Sequence, residues 1–410
     1  MDILSRIDPE IASLIKAEQK RQLHEINLIA SENYAPPAVL EATGSLLTNK
    51  YAEGYPGKRY YAGCEFVDMV ENLAIDRCKK LFGAEHINVQ PHAGSQANMG
   101  AYYAVLQPGD TILGMSLAEG GHLTHGHAVN FSGNVYKSVQ YKVNADTHLL
   151  DYEGIEQLAH QHKPKLIIAG ASAYSRTIDF PRFAAIAKSV GALLMADIAH
   201  IAGLIAADQH PSPVGYADLI TSTTHKTLRG PRGGIIMSTN TLASQVDRAI
   251  MPGTQGGPFL HIIAAKAVAF GLALEPDFKE YQQQVVANSK TMAHAFNNLG
   301  YNIVTGGTDN HLFVIDLRSK GLNGKIAQAA LTAIGIIISR SCVPFDTEKP
   351  WITSGIRIGT PAITTRGMKE PEALQIVTWI DEALKNHSDT QKLAALKKQV
   401  ASWCSQFPIP

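Results

Sequence analysis

A surplus of charge is the first thing this chain lacks: 36 lysines and arginines are matched by 36 aspartates and glutamates over 410 residues. That balance argues against a protein built to neutralise nucleic-acid phosphates or to lie on an anionic membrane. A small anionic ligand needs only a local cluster and stays open. Cysteine is scarce: Cys64, Cys78, Cys342 and Cys404 stand far apart and form no CxxC pair. A disulfide framework and a cysteine zinc site are not expected, and a reducing cytoplasm is the natural compartment. Long apolar runs are missing too. The greasiest stretch, residues 191–207, is interrupted by Asp197 and His200 and falls short of a bilayer span. The opening MDILSRIDPE reads as no signal peptide, and we find neither internal repeat, low-complexity linker nor GxxxxGK[ST] loop.

What is present is material for a large core, with 45% hydrophobic and 18% charged residues. The length predicts two or three domains. Residues 9–25 carry the apolar spacing of a surface helix started by Asp8-Pro9. Residues 31–63 are dense in Tyr, Gly and Pro with neither helical nor strand period, and a loop of that length tends to be functional. From about 66 to 273, helical patterns (67–81, 96–106, 152–162, 183–190) alternate with aliphatic runs (111–115, 165–169, 192–197, 219–223, 234–238). Such alternation predicts an α/β fold with a mostly parallel sheet covered on both faces. After Glu275-Pro276, a long helix (277–299), short strands and two final helices predict a smaller α+β domain. The expected division is an N-terminal arm and inter-subunit loop (1–65), a large domain (66–274) and a small one (275–410).

Ligands gather at the carboxyl ends of strands in such sheets, and the polar residues there carry the chemistry. Asp197 ends an apolar run, where a carboxylate needs a cationic or hydrogen-bonding partner; helix capping is the plain alternative. Lys226 follows a run of threonines, with Arg229 and Arg232 near. It reads either as a solvated loop charge or as a nucleophilic amine whose pKa burial and cations depress. Gly94-Ser95 opens a helical stretch and offers a cup for one phosphate. His122, His125 and His127 invite a zinc reading. No carboxylate or further histidine stands at helical spacing beside them, so no metal is expected, and an imidazole stacked on a ring or a satisfied loop histidine fits better. Arg357 sits in an apolar run, where its fork matches a carboxylate; an internal salt bridge is the alternative. Pyridoxal phosphate accounts for four of these five features together: an aldehyde for a lysine, a pyridine nitrogen for an acid, a phosphate for a helix start and a ring to be covered. An amino-acid substrate then accounts for the arginine.

The chain resembles the serine hydroxymethyltransferases, a family of fold-type I pyridoxal-phosphate enzymes. The likeness runs from LIASENY (28–34) through LTNKYAEGYPGKRYY (47–61), GGHLTHG (120–126), THKTLRGPRGG (224–234), QGGP (255–258) and GGTDNHL (306–312) to SGIRIGTPAITTRG (354–367). It implies reversible transfer of the serine hydroxymethyl group to tetrahydrofolate, leaving glycine. It implies that Lys226 attaches the cofactor, Asp197 pairs with the pyridine nitrogen and His122 stacks on the ring. Gly94, Ser95, Gly256, Gly257 and a partner's Tyr51 would hold the phosphate, with Ser172, His200 and His225 flanking the cofactor. Ser31, His200 and Arg357 would bind the substrate carboxylate and neighbouring groups. Glu53 and Tyr61 would come from the other subunit of a dimer, or dimer of dimers, with Glu53 carrying the proton. Glu53, Tyr60, Leu117, Gly121, Leu123 and position 341 are implied in folate contact.

Two departures stand out. Where the family carries an Asn-Lys-Asn run this chain has Ser339-Arg340-Ser341, and serine lacks the paired donor and acceptor of an amide. One pterin contact is thereby weakened or lost, which keeps open a folate-independent aldolase acting on β-hydroxy amino acids such as threonine. The family's serine before the phosphate-cup glycine is Ala93 here. A catalytically idle regulatory or RNA-binding protein is disfavoured, because Lys226, Asp197, His122 and Arg357 are all intact.

Overall fold

Fifteen strands organise the described residues, 2–410, of the computed structural model. β1 (Ile26–Asn27) and a hairpin of β2 (Gly54–Tyr55) and β3 (Lys58–Arg59) precede the main sheet. That sheet comprises β4 (His86–Asn88), β5 (Thr111–Met115), β6 (Lys137–Tyr141), β7 (Leu166–Gly170), β8 (Leu193–Asp197), β9 (Leu219–Thr223) and β10 (Gly234–Ser238). Their spatial order is β4-β10-β9-β8-β7-β5-β6. Pairing is parallel from β6 across to β9, while β10 runs antiparallel to both its neighbours. Five of the seven strands match aliphatic runs read from the sequence. β4 and β6 do not: β4 is three residues long, and β6 (KSVQY) is half polar.

Side chains alternate across a strand, so each strand feeds two cores. In β7, Ile167 and Ala169 join Leu113, Leu194 and Ile220 on one face, while Leu166 and Ile168 join Ile112, Met195 and Leu219 on the other. Helices cover both faces, which is why these strands read as continuous apolar runs. Each fully buried leucine or isoleucine contributes about 1.5–3 kcal/mol.

The helix expected at 9–25 spans Pro9–His24, and the Asp8 carboxylate accepts the Ile11 N–H at 3.0 Å as its cap. The stretch 31–63 is less irregular than its composition predicts. It contains a helix, Pro37–Thr43, which at seven residues is too short to show a period.

Beyond the long helix Pro276–Asn298 lie β11 (Asn302–Ile303), β12 (Leu312–Asp316), β13 (Ile336–Ile337), β14 (Ser339–Ser341) and β15 (Gly355–Gly359). An antiparallel sheet of order β11-β12-β15-β14 forms here. The neighbouring strands β13 and β14 go separate ways: β13 pairs in parallel with β1, and β14 joins the sheet. Ile26 and Leu28 accordingly pack with Phe313, Ile356 and Val400, so part of the N-terminal arm belongs to the C-terminal core. Among the described residues no helix is long and apolar enough to cross a membrane.

Candidate active site

A cavity of about 480 Å³ opens at the carboxyl ends of β8 and β9. The last residue of β8 is Asp197, and β9 ends at Thr223, three residues before Lys226. Beside them the helix Gly94–Val105 begins at Ala93 without any side-chain cap. With no serine hydroxyl there, the first-turn N–H groups stay free for an anion. A side chain at Gly94 would come within 2.5 Å of Thr223 Cγ2, so only glycine lets this helix start approach β9. Behind the cup, the fully buried Lys266 ammonium donates to the carbonyls of Val89 (2.6 Å), Pro91 (3.0 Å) and Gly234 (2.8 Å). It thereby pins the segment leading into the helix against β10.

The cavity brings together Ser31, Gly94, Ser95, Leu117, Gly121, His122, Leu123, Ser172, Asp197, His200, His225, Lys226 and Arg357. It does not include Tyr51, Glu53, Tyr60, Tyr61, Gly256, Gly257 or Ser341. Most of these form a second patch. A side chain at Gly257 would lie 3.0 Å from the Tyr51 ring, one at Gly256 would lie 3.0 Å from Glu53 Oε1, and the rings of Tyr51 and Tyr61 meet edge to face at 5.2 Å. Gly256 and Gly257, expected in the phosphate cup, therefore sit with the loop residues of their own chain. The Ser341 hydroxyl donates to the Cys342 carbonyl at 3.0 Å.

Burial sets the electrostatics. It pushes the Lys226 amine down to about 8, against the pull of Asp197 and with the help of Arg357 and Arg232. Burial alone would raise Asp197, but hydrogen bonds from His125 and Asn98 and the neighbouring imidazoles hold it well below the usual carboxylate range. Burial takes His122 down to about 4 and His225 to about 3, so both rings are neutral at pH 7. Arg357 is lowered to about 10 by burial alone. Its Nε donates to Ser339 Oγ at 3.2 Å and its Nη1 to the Ser172 carbonyl at 2.5 Å. No carboxylate pairs with it among the described residues. The internal salt bridge that the sequence left open is not formed.

Several residues at the site escape sequence reading. Asn98 donates to Asp197 Oδ2 at 2.9 Å and to Thr124 Oγ1 at 2.6 Å, and accepts from Thr221 Oγ1 at 2.6 Å. His125, read as one of a loop triplet, meets Asp197 Oδ2 through Nε2 at 2.9 Å. His311 lies behind His200, Nε2 to Nδ1 at 3.3 Å. One signal was available: Asn98 is four residues past Gly94, one turn into a helix already singled out. Donor atoms of His122, His125 and Asp197 lie within 4.8 Å of one another, the spacing of a metal trio. The hydrogen bonds from His125 to Asp197 and from Thr124 to His122 already engage them.

An amine of depressed basicity, an ionised carboxylate, an open helix start and a flat neutral imidazole share one chamber, and these groups fit pyridoxal phosphate. Lys226 would take the aldehyde, Asp197 the pyridine nitrogen, Gly94 and Ser95 the phosphate and His122 the ring face. A family model described as serine hydroxymethyltransferase matches residues 4–380.

Proposed function

From the premise that the chain belongs to the serine hydroxymethyltransferase family, we propose how its own residues carry that reaction. The reaction is reversible transfer of the serine hydroxymethyl group to tetrahydrofolate, leaving glycine, with pyridoxal phosphate as cofactor. When bound, pyridoxal phosphate supplies an aldehyde for an amine and a protonated ring that accepts electrons from a bond at the substrate Cα.

With its pKa lowered to about 8, Lys226 is partly unprotonated at neutral pH and can act as a nucleophile. Asp197 stays ionised and holds a proton on the ring nitrogen; Asn98 and His125 fix the orientation of its oxygens. Arg357, free of any carboxylate of its own, takes the substrate carboxylate bidentately. Ser31 and His200, which share the cavity with it, complete the carboxylate site. Fixing that carboxylate orients the Cα–Cβ bond for cleavage. Ser172 and His225 line the rest of the cofactor chamber. Leu117, Gly121 and Leu123 form the apolar wall on which a pterin rests.

The family is oligomeric. We read Tyr51, Glu53, Tyr60, Tyr61, Gly256 and Gly257 as one patch that completes the cavity of a second copy, Glu53 carrying the proton and Tyr51 reaching the phosphate. This reading is supported by their grouping outside their own chain's cavity. We place the protein in the cytoplasm, in keeping with four free cysteines.

The observation that carries the reading is the depressed Lys226 amine facing an ionised Asp197 beside an open helix start. Borohydride reduction of the yellow holoprotein followed by peptide mass analysis should find the pyridoxyl group on the peptide containing Lys226. Attachment to any other lysine would overturn the assignment.

A further inference from the structure

Glu53 lies half-buried on a loop between the buried Ala52 and Gly54, with exposed side chains about it. Tyr51, Tyr60 and Tyr61 around it are 55%, 74% and 45% exposed, and the hairpin that follows has two residues per strand. A proton-carrying carboxyl must nevertheless be held to within about half an ångström. The restraint comes from Arg59. Its Nη1 donates to the Ala52 carbonyl at 3.0 Å and the Gly54 carbonyl at 2.9 Å, the two residues bracketing Glu53. Tyr60 N–H donates to the carbonyl of Glu53 itself at 2.9 Å.

The guanidinium is held in turn by the helix Glu65–Phe82. Its Nε meets Asp68 Oδ1 at 2.8 Å and its Nη2 meets Glu71 Oε2 at 2.6 Å, with the Arg59 side chain 3% and that of Glu71 1% exposed. Asp68 and Glu71 are three apart and share one helix face. Gln90 Nε2 closes the network, donating to the Gly54 carbonyl at 2.9 Å and to Glu71 Oε1 at 2.8 Å. Gly54 makes the geometry possible. It sits at φ +99°, and a Cβ there would lie 2.3 Å from the Lys58 carbonyl, so only glycine turns the chain tightly enough to set Arg59 opposite it.

We propose that Arg59 is a positioning residue for hydroxymethyl transfer: its fork ties the peptides on both sides of Glu53 to two carboxylates of a rigid helix, so that the Glu53 carboxyl is presented to the neighbouring copy at a fixed place. The inference rests on the reading of Glu53 as the proton carrier. A lysine cannot substitute, because its three donors radiate from one point and cannot span two carbonyls and two carboxylates.

The test uses purified holoenzyme carrying Arg59→Lys, or Arg59→Met with Glu71→Gln so that no buried carboxylate is left alone. Glu53→Gln serves as reference. Cofactor absorbance, subunit assembly and serine turnover with tetrahydrofolate are measured together. Both Arg59 changes should keep the yellow chromophore and the assembly yet lower kcat by about tenfold or more, and should add less than about twofold to the loss in Glu53→Gln. Full kcat in the paired variant overturns the proposal. So does loss of chromophore or assembly along with kcat, or a loss that multiplies with that of Glu53→Gln, since each marks general support of the fold. Full turnover in Glu53→Gln overturns the reading of Glu53 itself, and the role of Arg59 with it.

Discussion

Lys226 shows what a single side chain gives up for reactivity. An ammonium buried in the cavity is destabilising wherever it stays charged, and its pKa of about 8 against an ordinary 10.5 measures that cost. Between those values the unfolded chain binds more protons than the folded one, so raising the pH through that window stabilises the fold. Lys226→Met should therefore stabilise the apoprotein at pH 7 by on the order of 3 kcal/mol. The advantage should shrink as pH climbs from about 8 towards 10.5, as followed by denaturant unfolding at several pH values. A difference independent of pH would place the cause in packing instead. Residues of this kind are legible from sequence because they break a pattern: Asp197, Lys226 and Arg357 are charges set in or at the end of apolar runs. Asn98, Arg59 and His311 were not, because each looks ordinary in its own segment. Their meaning lies in contacts with residues far along the chain, such as Asn98 with Asp197.

Among elements, the strands rich in β-branched and aliphatic residues announced themselves, and so did the helices with strong periods or clear caps. What stayed hidden was short or half polar: β4, β6, the Pro37–Thr43 helix and the break between β13 and β14. β4, the short helix and the break carry too few residues for a period to emerge, β6 is as long as its neighbours but half polar, and all depend on partners to exist. The segment from Val89 to Ala93 is a case in point. It has no regular structure, yet it sets the helix start proposed for the phosphate, and Lys266 ties two of its carbonyls to that of Gly234 in β10. Lys266→Met would remove a donor from all three, the Pro91 carbonyl keeping its bond from the Gly234 N–H, at about 1–3 kcal/mol for each carbonyl left unpaired. We expect the affinity of the apoprotein for pyridoxal phosphate to fall about tenfold or more, read by absorbance titration. Undiminished affinity would show that the strands alone hold the cup.

At the scale of the whole molecule, the proposed reading divides the surfaces of one chain between two different reaction chambers. On that reading one copy's cavity lacks the carboxyl that moves the proton, and the Glu53 patch lies outside its own chain's cavity. Activity per chain should therefore collapse on dilution in step with dissociation of the assembly, with light scattering and turnover followed on the same samples. Constant specific activity through the dissociation range would mean that a single copy suffices. The sequence told that the residues at 47–61 were unusual, and the fold shows that they lie outside the cavity that holds their own Lys226.

Asp197 is the last residue of its strand and Lys226 lies on the turn just past one, whereas the interiors of β7 and β8 face the packed layers. Shape and chemistry are thus written in different places along the chain. Turns can be edited over generations while the layers beneath persist, and an ancestor of this architecture could acquire new reactions without first having to survive the loss of its scaffold.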